Sequence, residues 1–209
     1  ATGGAVLPFG VVSTLELGGS GGSAGVAVTQ HPEDARRTIA WTAVNNFRFD
    51  FTTFEVILDP PELIALDVTD PTTPFTITRQ TLFEEDEDVL VSKVTLDDSN
   101  NTLVLSTSLG LAIYDVSVPQ APSLRLVSDL APADMFARDG YLYAVKSTSP
   151  WLPDGARVDT VQVIDLANGE LLDELLIPKG TIGAITANDG VCYVASRYHE
   201  SGELITRVD

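Results

Sequence analysis

The chain has 209 residues, of which 44% are hydrophobic, so it can bury a sizeable core and does not have the composition of a disordered chain. The 30 acidic residues outnumber 12 basic ones, and the net charge of −18 repels nucleic-acid backbones and anionic lipid. No apolar stretch approaches the ~20 residues of a membrane-spanning helix. The sequence therefore predicts neither nucleic-acid binding nor membrane insertion.

The N-terminal part combines a strand signal with a glycine-rich loop. Residues 11–17 (VVSTLEL) predict a strand, and residues 18–25 (GGSGGSAG) predict a flexible or tightly turning loop. A glycine-rich loop can cradle phosphate, but no Lys-Ser/Thr pair follows it and residues 26–29 predict a strand rather than a helix. A phosphate-binding loop is therefore excluded.

The first predicted repeat, residues 24–82, carries an insertion at residues 45–62. Within the insertion Phe47, Phe49 and Phe51 alternate with charged residues, which is strand periodicity with one aromatic face. Such a face either packs against the body of its own domain or forms a platform for a protein or sugar.

Three further repeats of short strands are predicted at residues 89–130, 133–177 and 182–209. Asp-Gly or Asn-Gly pairs, which are strong hairpin signals, separate many of the strand-like runs. No segment predicts a helix. The fourth repeat lacks an outer strand. Residues 11–17 are therefore expected either to pair with the fourth repeat or, if the chain is part of a larger repeat protein, to complete the sheet that precedes the first repeat.

An apolar run that ends in an aspartate recurs through the chain, at LIALDVTDP, LAIYDVSVP, VQVIDLANG and LITRVD. Spacings of 48, 50 and 44 residues separate the four aspartates, as in stacked repeats. Each aspartate stands where a strand meets a turn, so the pattern predicts a structural role, in which the carboxylate accepts nearby backbone N–H groups. The aspartates are Asp67, Asp115, Asp165 and Asp209.

Tandem four-stranded meanders of about 40–50 residues are typical of β-propeller blades. The segments IALDVTDPTTP and AIYDVSVPQAPSL resemble the repeats of extracellular β-propeller proteins of the LVIVP type. The third repeat has Asn168-Gly169 in place of the prolines, and the fourth ends too early for this comparison. The resemblance implies an all-β propeller of about four blades in a single domain, residues 1–209, as a small closed ring or as part of a larger propeller. It carries no activity with it.

The predicted location is extracellular or periplasmic. The sequence shows no signal peptide, and its small-residue start, ATGGAV, is typical of a processed mature chain. The extracellular character of the resembling propellers points the same way.

An acidic run in a predicted loop offers oxygen ligands for calcium, together with one acidic residue from another loop of the same face. The candidate ligands are Glu84, Glu85, Asp86, Asp88 and Asp134. The run matches no EF-hand spacing, and consecutive residues of an extended segment point to opposite sides, so a solvated charge run with Lys93 as a counter-charge is the competing interpretation.

No catalytic constellation is apparent. His31 and His199, the two histidines, are predicted on opposite faces, which argues against a zinc or copper site, and the chain has no nucleophile elbow. The single cysteine, Cys192, lies in an apolar run, so it predicts a buried thiol and no intramolecular disulfide.

The longest predicted loops share one face and carry the candidate partner-binding residues, which are Phe47, Phe49, Phe51, Trp151 and Tyr198. The favoured hypothesis is a secreted, non-enzymatic binding or assembly module that presents this face to a protein or glycan. One alternative is a calcium-dependent propeller hydrolase or lyase with its site at the channel mouth. The other is a structural subunit that self-associates through strand edges.

Overall fold

The computed structural model describes residues 23–83, 89–147, 159–177, 181–188, 191–200 and 203–208. These residues form four antiparallel sheets and contain no helix, which confirms the all-β prediction. Accordingly, no helix in the described part of the chain is long and apolar enough to cross a membrane.

Each sheet is a meander in which successive strands pair with one another. The first sheet contains β1 (Ser23–His31), β2 (Asp34–Asp50), β3 (Glu55–Asp67) and β4 (Phe75–Thr81). The second contains β5 (Val91–Asp97), β6 (Thr102–Thr107), β7 (Gly110–Asp115) and β8 (Ser123–Ser128). The third contains β9 (Asp134–Arg138), β10 (Tyr141–Ser147), β11 (Asp159–Asp165) and β12 (Leu171–Ile177). The fourth contains β13 (Thr181–Asn188), β14 (Val191–Glu200) and β15 (Glu203–Val208).

The tight turns follow from residues that tolerate a left-handed backbone. Asp139 and Gly140, which join β9 to β10, have φ angles of 52° and 85°, as an Asp-Gly hairpin turn requires. The hairpin predicted at this pair is therefore confirmed.

The sheets pack side by side through their first strands, since β5 contacts both β1 and β9, and β9 contacts β13. Strand β6 shows how the core is divided. Leu103 and Leu105 point into the cluster shared with the first sheet, whereas Val104 points into the cluster shared with the third. All six residues of β6 are buried because both faces of its sheet are covered.

The repeated aspartates have the predicted structural role. One carboxylate oxygen of Asp67 accepts the N–H of Thr69 at 2.9 Å, and Asp115 accepts the N–H of Ser117 at the same distance. Asp165 accepts the N–H of Ala167 at 2.8 Å, as the third instance of this turn. Asp209 lies outside the described residues.

Candidate functional site

The insertion at residues 45–62 is not a loop, because β2 and β3 continue through most of it as a two-stranded ribbon. Strand β1 pairs with β2 as far as Val44, and β4 pairs with β3 from Glu62 onward. Beyond these residues β2 and β3 pair with each other without a third strand, from Asn46–Asp59 to Asp50–Glu55. The ribbon, residues 46–59, is called the aromatic hairpin below.

Antiparallel register divides the aromatic hairpin into two faces. Phe47 is paired with Leu58 and Phe49 with Val56, so these four side chains share one face. The opposite face carries charge, where Arg48 and Asp59 form a 3.4 Å ion pair. The aromatic face predicted from the alternation of residues is therefore confirmed for the two phenylalanines within β2.

The turn at the tip adds two more aromatic rings. Phe51 and Phe54 are 79% and 77% exposed, and their ring centroids lie 5.0 and 6.3 Å from that of Phe49. Both pairs meet edge-on, with interplanar angles of 76°. Phe54 was missed in the sequence because it follows the alternating run, and the turn at residues 51–54 brings it back toward Phe49.

The tip turn is stabilised by its own backbone and by Asp50. The N–H of Phe54 donates to the carbonyl of Asp50 at 2.8 Å, and the Asp50 carboxylate accepts the N–H of Thr52 at 2.7 Å. This second hydrogen bond holds the pKa of Asp50 below its usual value. Phe54 has a φ of 60°, which is unusual for a bulky residue, so the backbone is strained at this position of the turn.

The base of the aromatic hairpin is fixed to the neighbouring sheet by Asn45. Its side-chain amide donates to the carbonyl of Val91 and accepts the N–H of the same residue, each at 2.8 Å. The pairing of β2 with β3 shifts register at this point, between Val44 and Asn46. The two hydrogen bonds therefore hold the ribbon at the place where it leaves the first sheet.

The other predicted partner-binding residues are not brought into this cluster by any described contact. Trp151 lies outside the described residues. Tyr198 lies in β14, where its backbone pairs with Ile205. The structure thus assembles Phe47, Phe49 and Phe51, and it adds Phe54 and Val56 to them.

The predicted calcium ligands fall mostly outside the described residues, namely Glu84, Glu85, Asp86 and Asp88. Asp134 is described, and its carboxylate is paired with the ammonium group of Lys93 and accepts the N–H of Met135 at 2.8 Å. Within the described ranges no group of three or more His, Cys, Asp or Glu side chains could hold a metal ion. Lys93 thus balances Asp134, and the calcium site stays a prediction.

Two other singled-out residues have packing or turn roles. The buried His31 accepts the N–H of Glu33 through Nδ1 at 3.2 Å. Cys192 is half-buried against the cluster between the third and fourth sheets, and burial raises the pKa of its thiol. The raised pKa keeps the thiol protonated near neutral pH, as expected for a packing residue.

Comparisons with known proteins found similarity among solved structures only. No family model and no curated protein matches the chain. Among solved structures, the computationally designed Ika4 protein matches 96% of this chain and 98% of its own length, with 11% identity and a TM-score of 0.53. An acylaminoacyl peptidase of Pyrococcus horikoshii matches 88% of this chain and 32% of its own length, with 10% identity and a TM-score of 0.48.

Proposed function

We propose that the protein is a secreted, non-enzymatic β-propeller that binds a protein partner through the aromatic hairpin. The cluster of exposed phenylalanines at the end of the ribbon is the observation that carries this proposal. Four meander sheets that pack through their first strands support the propeller, because blades have this arrangement around a central axis.

Exposure of the phenylalanines favours a binding role over a packing role. Phe51 and Phe54 keep more than three quarters of their surface in water, and Val56 beside them is 61% exposed. A contiguous apolar patch on a protruding element is typical of a protein–protein interface, where buried aromatic side chains supply most of the binding energy. The hydrogen bonds within the turn and those of Asn45 reduce the conformational entropy lost on binding.

The ring geometry favours a protein over a glycan. Sugars stack on one broad, open ring face with hydrogen-bonding groups beside it, whereas Phe49 meets its two aromatic neighbours edge-on and phenylalanine has no polar atom. Such a cluster fits an apolar pocket. Asp50 and Glu55 end the opposite face of the ribbon, and the whole chain is acidic, so the pocket of the partner is expected to have a basic rim.

The test compares the wild type with a Phe51→Ser/Phe54→Ser variant and a Leu172→Ser/Leu175→Ser control. The control removes two exposed leucines from β12, away from the aromatic hairpin. Each protein is immobilised, secreted proteins of the source organism are passed over it, and any retained protein is purified for direct affinity measurement. We expect one partner whose Kd is weakened at least about tenfold by the hairpin variant and not by the control.

Equal affinity for all three proteins would reject the aromatic hairpin as the binding site. A glycan array probed with the same three proteins distinguishes a glycan ligand from a protein partner. If a glycan binds the wild type and the control but not the hairpin variant, the ligand of the aromatic hairpin is a glycan and the proposed protein partner is rejected. The calcium-dependent enzyme has less support, since Lys93 already neutralises the described candidate ligand Asp134.

A further inference from the structure

A cavity of about 360 Å³ lies between the second and third sheets, under the connection from β8 to β9. Its volume is within the range of about 300–1,000 Å³ typical of small-molecule sites. The lining residues are Asp129, Leu130, Ala131, Pro132, Ala144, Lys146 and Gln162. The cavity is separate from the aromatic hairpin, and none of the sequence motifs accounts for it.

Opposite charges stand on opposite walls of this cavity. Asp129 belongs to the β8–β9 connection, and Lys146 belongs to β10 of the third sheet. Neither side chain forms an ion pair with another described residue, whereas nearby Lys93 is neutralised by Asp134. A ligand that carries both charges can therefore pair with both walls without displacing an existing ion pair.

Polar groups on the third sheet are positioned beside Lys146. Gln162 lines the cavity and is 4% exposed, and its amide donates to the carboxylate of Glu174 at 2.6 Å, which fixes the orientation of the amide. Thr160 pairs directly with Lys146 and so shares its face of the sheet. It is 6% exposed, and its buried hydroxyl has no hydrogen-bond partner, which is uncommon for a buried polar atom.

The remaining walls are formed by short apolar side chains. Leu130, Ala131 and Pro132 come from the connection, and Ala144 comes from β10. The connection is held in place by two hydrogen bonds, from Ser106 to the carbonyl of Pro132 at 3.2 Å and from the N–H of Ala133 to the carbonyl of Val145 at 2.7 Å. The apolar wall is thus pre-formed opposite the polar one.

We infer that this cavity binds a small zwitterion of the class of free aliphatic α-amino acids. Lys146 pairs with the carboxylate of the ligand, Asp129 pairs with its ammonium group, and Gln162 donates or accepts a hydrogen bond between them. The aliphatic side chain of the ligand rests against Leu130 and Ala144.

The test uses leucine as the probe, with N-acetyl-leucine and leucine amide as analogues that each lack one charge. Chemical shifts of the labelled protein are followed by NMR during titration to about 10 mM, well above a millimolar Kd. We expect leucine to shift resonances around the cavity and each analogue to bind at least about tenfold more weakly, because each loses a charge-assisted contact.

Three variants assign the contacts. Lys146→Gln and Asp129→Asn change exposed side chains that have no described ion pair, and Asp98→Asn is a matched control at the other end of the second sheet. We expect leucine to bind about tenfold more weakly to each cavity variant and unchanged to the control. Absence of leucine binding, equal binding of all three ligands, or equal binding to all four proteins would each overturn the inference.

Discussion

The backbone N–H of Gly140 donates a 2.5 Å hydrogen bond to the carboxylate of Asp97, a fully buried side chain of the neighbouring sheet. The same carboxylate accepts the N–H of Asp139 at 3.1 Å and, in its own turn, the N–H of Ser99 at 3.1 Å. One side chain therefore orders the turn that follows β5 and the turn that joins β9 to β10.

Replacement of Asp97 by alanine is expected to lower the free energy of unfolding by at least about 2 kcal/mol, because it removes the buried carboxylate that accepts hydrogen bonds from three backbone N–H groups. Urea denaturation measures the change. Asp98→Ala is the control, since this neighbouring carboxylate is exposed, and it should change stability by no more than about 0.5 kcal/mol. Equal effects of the two substitutions would show that the Asp97 network contributes nothing to stability.

Acid should destabilise the fold through the turn aspartates. Burial alone would raise the pKa of Asp67, but hydrogen bonds from Thr69 and the Arg37 guanidinium outweigh it and hold this pKa below 3.8. The backbone N–H of Ser117 does the same for Asp115. Since each pKa is lower in the folded chain than in the unfolded one, the stabilisation is present above pH about 4 and is lost as the pH falls through the folded pKa.

Urea denaturation at several pH values between about 6 and 2 checks this prediction. We expect the wild type to lose stability steadily below pH about 4, and the Asp67→Asn/Asp115→Asn variant to start less stable and to lose less over the same range. Parallel curves for the two proteins would contradict the assignment.

Alkali should act through Tyr114, whose burial raises its pKa to about 12. Because this pKa lies above the unfolded value of about 10, the stability linked to it is full below pH 10 and declines as the pH rises toward 12. Tyr114→Phe is expected to leave stability at pH 7 nearly unchanged and to reduce the loss between pH about 10 and 12. Urea denaturation at pH 7 and at several pH values between about 10 and 12 tests both expectations. If the variant loses as much stability as the wild type over the alkaline range, the assignment to Tyr114 is wrong.

Gly110 begins β7 where the backbone of β8 passes closely. Its φ is 132°, and a Cβ atom there would lie 1.9 Å from the carbonyl oxygen of Ser128. Gly110→Ala is therefore expected to cost about 3 kcal/mol or more. Gly140→Ala is the matched control, since Gly140 also has a positive φ of 85° but a Cβ there would meet only the side-chain nitrogen of Asn100, at an ordinary contact distance of 3.9 Å. Its cost should be about 1–2 kcal/mol of backbone strain. Thermal unfolding of both variants gives the comparison, and the reverse order would contradict it.

Local patterns predicted the strands and turns because their causes lie within a few residues. The alternation around Phe47 and Phe49 gave the correct face of a strand, and the Asp-Gly pair gave the correct turn. The sequence did not predict the ribbon extending beyond its sheet, because nothing near residues 45–62 shows where β1 and β4 stop pairing.

Contacts between sheets were the least predictable. Lys93 and Asp134 are 41 residues apart, and a pattern of local alternation carries no information on which acid a lysine will meet across two packed sheets. The cavity beside Lys146 could not be predicted for the same reason, since one of its walls comes from the β8–β9 connection and the other from β10 and β11.

Strand β6 is buried on both faces because a neighbouring sheet packs against each of them. A single sheet is therefore expected to be unstable without its neighbours. A cut between β8 and β9 would leave two pieces, each with an uncovered apolar face. Such pieces should remain insoluble or unfolded when produced apart and should recover native structure when produced together, so the boundary of one repeat is a poor place to divide the chain.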